Sequence, residues 1–183
     1  RQVEFDEASQ TVRLCRPGML LDVGGIAKGY AADAALKSLR ESGLPTSLVT
    51  AGGDLAIGDP PPASSGWAIS LRTSDDGTPD ASIEASRAGV STSGDLHQFV
   101  ELDGTRYSHI VSPKTGLGLS NRVACSVIAP DATTSDAMAT ACCVAGHEKM
   151  LEWTGETPSL EARLVEWGKD GPEVHRSPGF PRA

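Results

Sequence analysis

Asp136 and Thr140 stand four residues apart in a segment, Thr133 to Val144, that reads as a helix. At that spacing both oxygens leave one helical face. A carboxylate and a hydroxyl together suit a hard cation such as Mg2+, which takes oxygen ligands and fills its remaining positions with water and substrate phosphate. The same pair equally suits a local role, Asp136 as a helix cap and Thr140 bonded back to a carbonyl of the preceding turn. Thr133 and Asp136 have the spacing of a capping box, with Asp in place of Glu.

A second chemical stretch runs Asp22-Val23-Gly24-Gly25-Ile26-Ala27-Lys28. The apolar run Met19 to Leu21 reads as the end of a strand, and Ile26 to about Ser42 as a helix with Ala32, Leu36 and Leu39 on one stripe. Twin glycines between them predict backbone with positive φ that comes close to a ligand. The helix N-terminus behind them offers free N–H groups and a positive dipole end, and Lys28 adds a charge, so the stretch is a candidate pyrophosphate cradle. It matches neither G-x-G-x-x-G nor G-x-x-x-x-G-K-[ST]. It also reads as a plain tight turn that lets a helix pack on a sheet. His109 ends a strand-like run before the turn Ser112-Pro113-Lys114-Thr115-Gly116, a place where a proton-transfer group is well exposed. A structural role beside apolar neighbours is the alternative. His97, His147 and His175 have no such setting, and Gly53-Asp54 and Gly94-Asp95 read as turn carboxylates.

The elements that must position these groups fit in one domain, residues 1–183. A net charge of −8 argues against nucleic acid or an anionic membrane surface as partner. No apolar run is long enough to span a bilayer, and the first residues carry no export signal. The opening inside a strand-like segment suggests a piece of a longer protein. The four cysteines have no metal-site spacing; Cys142 and Cys143 read as core residues of the later helix.

Short strands are expected at Val3 to Phe5, Thr11 to Leu14, Ser47 to Thr50, Leu55 to Ile57 and Trp67 to Leu71. More follow within Ser82 to Thr92 and at Val123 to Ala129 and Ala162 to Trp167. Gln98 to Leu102 and Tyr107 to Val111 flank Asp103-Gly104 as a hairpin. Ser93-Gly94-Asp95 reads as a break, Lys149 to Trp153 as a short helix, and the end of the chain as a Pro/Gly-rich tail. The sum is α+β: many short, mostly antiparallel strands with two main helices.

Five strings, in order, resemble the FAD:protein FMN transferase (ApbE) family: Asp22 to Asp33 (DVGGIAKGYAAD), Ala51 to Asp54 (AGGD), Val90 to Asp95 (VSTSGD), His109 to Gly116 (HIVSPKTG) and Ser135 to Ala141 (SDAMATA). The resemblance implies an ApbE-like, T-fold-like architecture. It also implies an Mg2+-dependent enzyme that cleaves FAD and attaches FMN to a Thr or Ser of an acceptor flavoprotein, with AMP as leaving group. By position it implies a metal site from Gly25 carbonyl, Asp136, Thr140 and the Ala139 carbonyl. Asp22, Lys28 and the backbone near Ile110 would face the flavin nucleotide, and His109 would be the catalytic base. FAD pyrophosphatase activity and non-catalytic flavin binding are the alternatives.

The family's usual place is the periplasmic, outer face of the bacterial cytoplasmic membrane, often through a lipid anchor. Three departures stand out: Ser112 where the family commonly has Asp, Ser135 where it commonly has Ala, and no counterpart of the family's N-terminal portion. Weak FAD binding by this chain alone is therefore expected.

Overall fold

The computed structural model describes residues 2–73, 78–95 and 98–181; His97 lies outside them. The chain opens with a hairpin of β1 (Val3–Asp6) and β2 (Thr11–Leu14), followed by helix α1 (Ala27–Glu41). Next come β3 (Leu48–Ala51), β4 (Asp54–Ile57), β5 (Trp67–Leu71), β6 (Ala81–Ala85) and β7 (Ala88–Gly94). A hairpin of β8 (Phe99–Leu102) and β9 (Thr105–Ser108) precedes β10 (Arg122–Ala129), α2 (Ala132–Ala145), α3 (His147–Glu156), β11 (Glu161–Gly168) and β12 (Gly171–Arg176). The expected α+β class holds, and the named strands pair antiparallel throughout.

The centre is a six-stranded sheet in the order β12-β11-β10-β7-β4-β3. α1 lies over β3 and β4, α2 over β7 and β10, and the two helices touch each other. β10 is buried on both faces because it sits between two layers. Val123, Cys125 and Val127 pack with Ala139, Cys142, Met150 and Leu164 in one core. Ile128 turns the other way, toward Ile57, Val90 and the β5–β6 hairpin residues Ile69 and Ile83. Each fully buried aliphatic side chain here contributes roughly 1.5–3 kcal/mol.

Three features depart from the sequence reading. Met19 to Leu21 is not a strand: residues 19–23 have no regular structure, and Leu20, Leu21 and Val23 are exposed. An apolar triplet alone does not make a strand without a neighbour to pair with. The tail forms β12, whose Pro172 is tolerated because β12 is an edge strand. Ser93 and Gly94 continue β7 instead of breaking it, paired with Cys125 and Ala124 of β10.

Candidate functional site

The site forms where the start of α1 crosses α2. Gly29 makes the crossing this close: a Cβ there would lie 2.1 Å from the Ala132 carbonyl oxygen. Each helix then caps the other. The buried Asp136 carboxylate of α2 accepts the Gly29 N–H of α1 at 3.0 Å, satisfying one of the unpaired donors of a helix's first turn. Asp33 of α1 in turn accepts from Ala132 N–H at 2.9 Å, Thr133 N–H at 2.8 Å and the Thr133 hydroxyl at 2.6 Å.

The capping box read at Thr133 and Asp136 does not form. Asp131 is the N-cap, accepting from Thr134 N–H at 2.7 Å, so α2 starts one residue earlier than the sequence suggests. Asp136 is thereby left free to serve α1. Thr140 does not bond back to its own helix; its hydroxyl pairs with Ser93 Oγ of β7 at 2.9 Å. One turn earlier Ser135, the family's common Ala, pairs with Ser91 Oγ at 2.7 Å. Two hydroxyl pairs thus zip α2 onto alternate residues of β7.

Lys28 Nζ lies between two carboxylates, 2.7 Å from Asp54 Oδ2 and 3.2 Å from Asp136 Oδ1. The sequence suggests only a turn carboxylate at Asp54, whereas the structure makes it an anchor of Lys28. It begins β4 after a two-residue turn in which Gly52 has φ 60° and Gly53 φ 100°, both left-handed. That turn aims Asp54 inward, and the Lys28 stem packs over Gly52 so closely that a Cβ there would lie 2.9 Å from Lys28 Cδ. The AGGD string carried the signal, since two glycines before an acid set a tight hairpin.

Burial works against the Lys28 charge, yet the Asp54 and Asp136 carboxylates beside it outweigh that and hold the amine above its ordinary pKa. Asp54 is raised, first by burial and also by the Asp136 charge, against the lowering effect of Lys28 and Ser91. Asp54 and Asp136 are 2% and 0% exposed, so two buried carboxylates share one ammonium. Asp54 Oδ2 has the lysine charge beside it but no well-directed hydrogen-bond donor. One buried negative charge is left over, and buried charges are paired or hold cations.

The twin glycines do not take positive φ, contrary to expectation. Gly24 instead accommodates an Asp22 side chain that accepts its N–H at 2.7 Å. Gly25 lies against Thr140: a Cβ on it would sit 3.4 Å from Thr140 Cγ2 and 3.5 Å from Oγ1. Gly25 thus meets Thr140, one turn along α2 from Asp136; carbonyl, hydroxyl and carboxylate oxygens are the chemistry of a hard donor set. Ala139 is fully buried in the core.

A cavity of about 460 Å³ opens beside this cluster, lined by Lys28, Gly52, Gly53, Thr92, Ser93 and His109 among others. His109 is exposed, and its Nδ1 lies 3.1 Å from the Gln98 carbonyl oxygen, which also accepts the His109 backbone N–H at 3.0 Å. A carbonyl only accepts, so Nδ1 carries the proton and Nε2 of the neutral ring is the free acceptor. Asp22 and Ile110 do not line the cavity. Ile110 is buried, its N–H given to Ser108 Oγ and its carbonyl to Leu119 N–H. Ser112 keeps its turn, accepting Lys114 N–H on its hydroxyl at 3.3 Å.

An antiparallel sheet under two helices thus carries a carboxylate–lysine–carboxylate cluster beside a hydroxyl-lined cavity. The ApbE family model matches residues 1–164, and the chain belongs to that family. It is 37% identical over 170 residues to the FAD:protein FMN transferase of Treponema pallidum, covering 86% of this chain and 47% of that protein. The Escherichia coli FAD:protein FMN transferase is 33% identical over 139 residues, 74% of this chain and 40% of that protein. The crystal structure of the Thermotoga maritima ApbE protein superposes with a TM-score of 0.83 at 32% identity, covering 98% of this chain and 58% of that one. The flavin transferase ApbE of Vibrio cholerae gives a TM-score of 0.82 at 28% identity, covering 98% and 57%. The chain thus spans about half the length of the curated relatives it matches.

Proposed function

We propose that this chain is the C-terminal portion of an FAD:protein FMN transferase that moves FMN from FAD to a Thr or Ser hydroxyl of an acceptor flavoprotein. The reading rests above all on the buried Asp54 and Asp136 that hold the half-exposed Lys28 in the cavity that His109 also lines. The family membership supports the substrate class.

In this reading the acceptor oxygen forms a bond to the FMN phosphorus, the pyrophosphate P–O bond to AMP breaks, and AMP departs. His109 Nε2 takes the proton from the acceptor hydroxyl, with Nδ1–H held by Gln98 so that the ring keeps the basic tautomer. Lys28 holds the phosphates by charge, oriented by Asp54 and by its stem on Gly52. Asp136, Thr140 and the Gly25 carbonyl, with Ala139 by resemblance, would hold Mg2+; when bound it offsets phosphate charge as a Lewis acid. The surplus buried negative charge is what makes these residues fit a cation. Asp22 and the backbone near Ile110 remain part of the nucleotide site by resemblance.

The portion of the relatives that this chain does not span would complete the FAD pocket, so the chain alone binds FAD weakly. Micromolar FAD binding by these 183 residues would show that portion to be dispensable. The parent enzyme, incubated with FAD, Mg2+ and a flavoprotein acceptor, is expected to leave covalent flavin fluorescence on the acceptor. Free FMN would make water the acceptor and the protein a pyrophosphatase. Unchanged FAD would leave only a flavin-binding relative. The periplasmic face of the bacterial membrane, reached by a lipid anchor, is the proposed address; no helix among the described residues is long and apolar enough to cross a membrane. The upstream coding sequence tests it.

A further inference from the structure

The β8–β9 hairpin stands next to the cavity with His109 at its foot. Val100 pairs with Tyr107 and Leu102 with Thr105, and the His109 N–H on the Gln98 carbonyl extends that register. Side chains alternate along a strand and match across a pair. Val100, Leu102 and Tyr107 therefore share one face with Gln98 and His109, and Val111 continues it two residues on. The opposite face is occupied. Ser108 and Ile110 are buried, and Phe99 lies under the Arg106 guanidinium, 3.5 Å from its ring centre, with Arg106 paired to Asp95 at 3.0 Å.

On the His109 face Val100, Leu102 and Val111 are 59%, 61% and 53% exposed. These positions hold no Lys, Arg, Asp or Glu, in a chain with 40 of them, 16 basic and 24 acidic. Along the strand direction the order is Leu102, Val100, then His109, then Val111, so the imidazole has exposed aliphatic side chains on both sides. Among the described residues β8 pairs with no strand but β9. Scattered exposed aliphatics are ordinary on a protein surface, but an uncharged row of them around a reactive group marks a contact surface.

We propose that this face docks the acceptor flavoprotein, through an apolar, uncharged patch of the acceptor around the Thr or Ser that receives FMN. The inference rests on the transfer reading above, which requires a hydroxyl of another protein at His109 Nε2. A macromolecule that delivers a hydroxyl there must cover what flanks the imidazole, and Val100 and Val111 flank it. The nucleotide makes no such demand: the cavity is lined by His109 and Gln98 but by none of Val100, Leu102 and Val111. These three side chains therefore serve the protein substrate and leave FAD binding alone. Covering them removes apolar surface from water, the usual driving force at the centre of a protein interface.

The test uses the parent enzyme with FAD, Mg2+ and a flavoprotein that it labels covalently. A Val100→Asp/Leu102→Asp double variant should raise KM for that flavoprotein at least tenfold, with FAD affinity within twofold of the unmutated enzyme. Val174→Asp, at an exposed aliphatic on the far edge strand β12, is the control for added charge and should leave KM unchanged. Hydrogen exchange on the unmutated parent gives a reading that depends on no variant's folding. Amides of residues 99–111 should slow when the flavoprotein is added. A parent that transfers no FMN overturns the transfer reading and this one with it. Transfer with KM unchanged in the double variant, or raised equally by Val174→Asp, overturns the docking surface alone. So does protection of residues 99–111 before the flavoprotein is added, which would mean that the parent's own remaining portion or a second copy covers the face.

Discussion

Asp136 caps a helix other than its own: its carboxylate, carried in α2, holds the Gly29 N–H of α1 at 3.0 Å and keeps the other oxygen 3.2 Å from Lys28 Nζ. One side chain therefore joins the packing of the two helices to the charge balance of the cavity. Structure and site fail together if it is lost, and separately if its neighbours are changed.

Gly29→Ala should be strongly destabilising. Its Cβ would lie 2.1 Å from the Ala132 carbonyl oxygen and 2.9 Å from Asp136 Cβ, both on α2. The helices must part, at a cost of about 3 kcal/mol. Gly25→Ala, whose nearest contact is 3.4 Å, should cost under about 1 kcal/mol. Urea unfolding of both variants checks the contrast; equal stabilities would mean that the crossing is not close-packed.

Asp33→Ala removes three hydrogen bonds at the start of α2 without touching the cavity cluster. Loss of about 2 kcal/mol is expected, because two backbone donors at a buried helix end lose their partner. Amide exchange at Ala132 and Thr133 should accelerate first. Unaltered exchange there would show that Asp131 suffices as the cap.

Asp54→Asn should relieve the fold while harming function. The Asp54 pKa is raised in the folded protein, so the folded state holds that proton more tightly than the unfolded chain does. Its stabilising effect is therefore complete below the unfolded value of 3.8 and is lost as pH rises through the folded value. At neutral pH the ionised group is a net burden, and the neutral Asn variant should be the more stable of the two. That advantage should vanish as pH falls toward 3.8. Thermal melts at several pH values measure it, and an advantage independent of pH would contradict the account. FMN transfer by the same variant of the parent enzyme should fall, since Lys28 loses one of its two anchors.

His109→Ala in the parent enzyme should slow transfer by roughly 10²–10⁴-fold while FAD affinity changes little, because a base acts on the barrier. Single-turnover transfer beside FAD titration separates the two effects. An equal loss in both would make His109 a binding residue.

Much of this arrangement is visible in the residue order, and the exceptions have physical reasons. Asp136 and Thr140 sit at helical spacing, and the structure places Asp136 against Gly29 of α1 and Thr140 against Gly25 just before it. The hairpin at Asp103-Gly104 and the core strand β10 are equally plain, because local turn chemistry and an apolar run interrupted only by Ser126 decide them. What sequence hides is partnership across distance. Asp33 capping α2 spans about a hundred residues, Asp54 matters only once Lys28 folds over its turn, and His147 meets His175 only when β12 pairs at the sheet edge. Met19 to Leu21 misled for the same reason: hydrophobicity was present, but no strand lay alongside.

The most direct test of the central claim is anomalous diffraction from crystals of the parent enzyme soaked with FAD and Mn2+, which takes the same oxygen ligands as Mg2+. The account predicts one strong Mn2+ peak in direct contact with the Asp136 carboxylate and the Thr140 hydroxyl, lost in Asp136→Ala. A peak that touches neither residue, or one that survives that substitution, would contradict it.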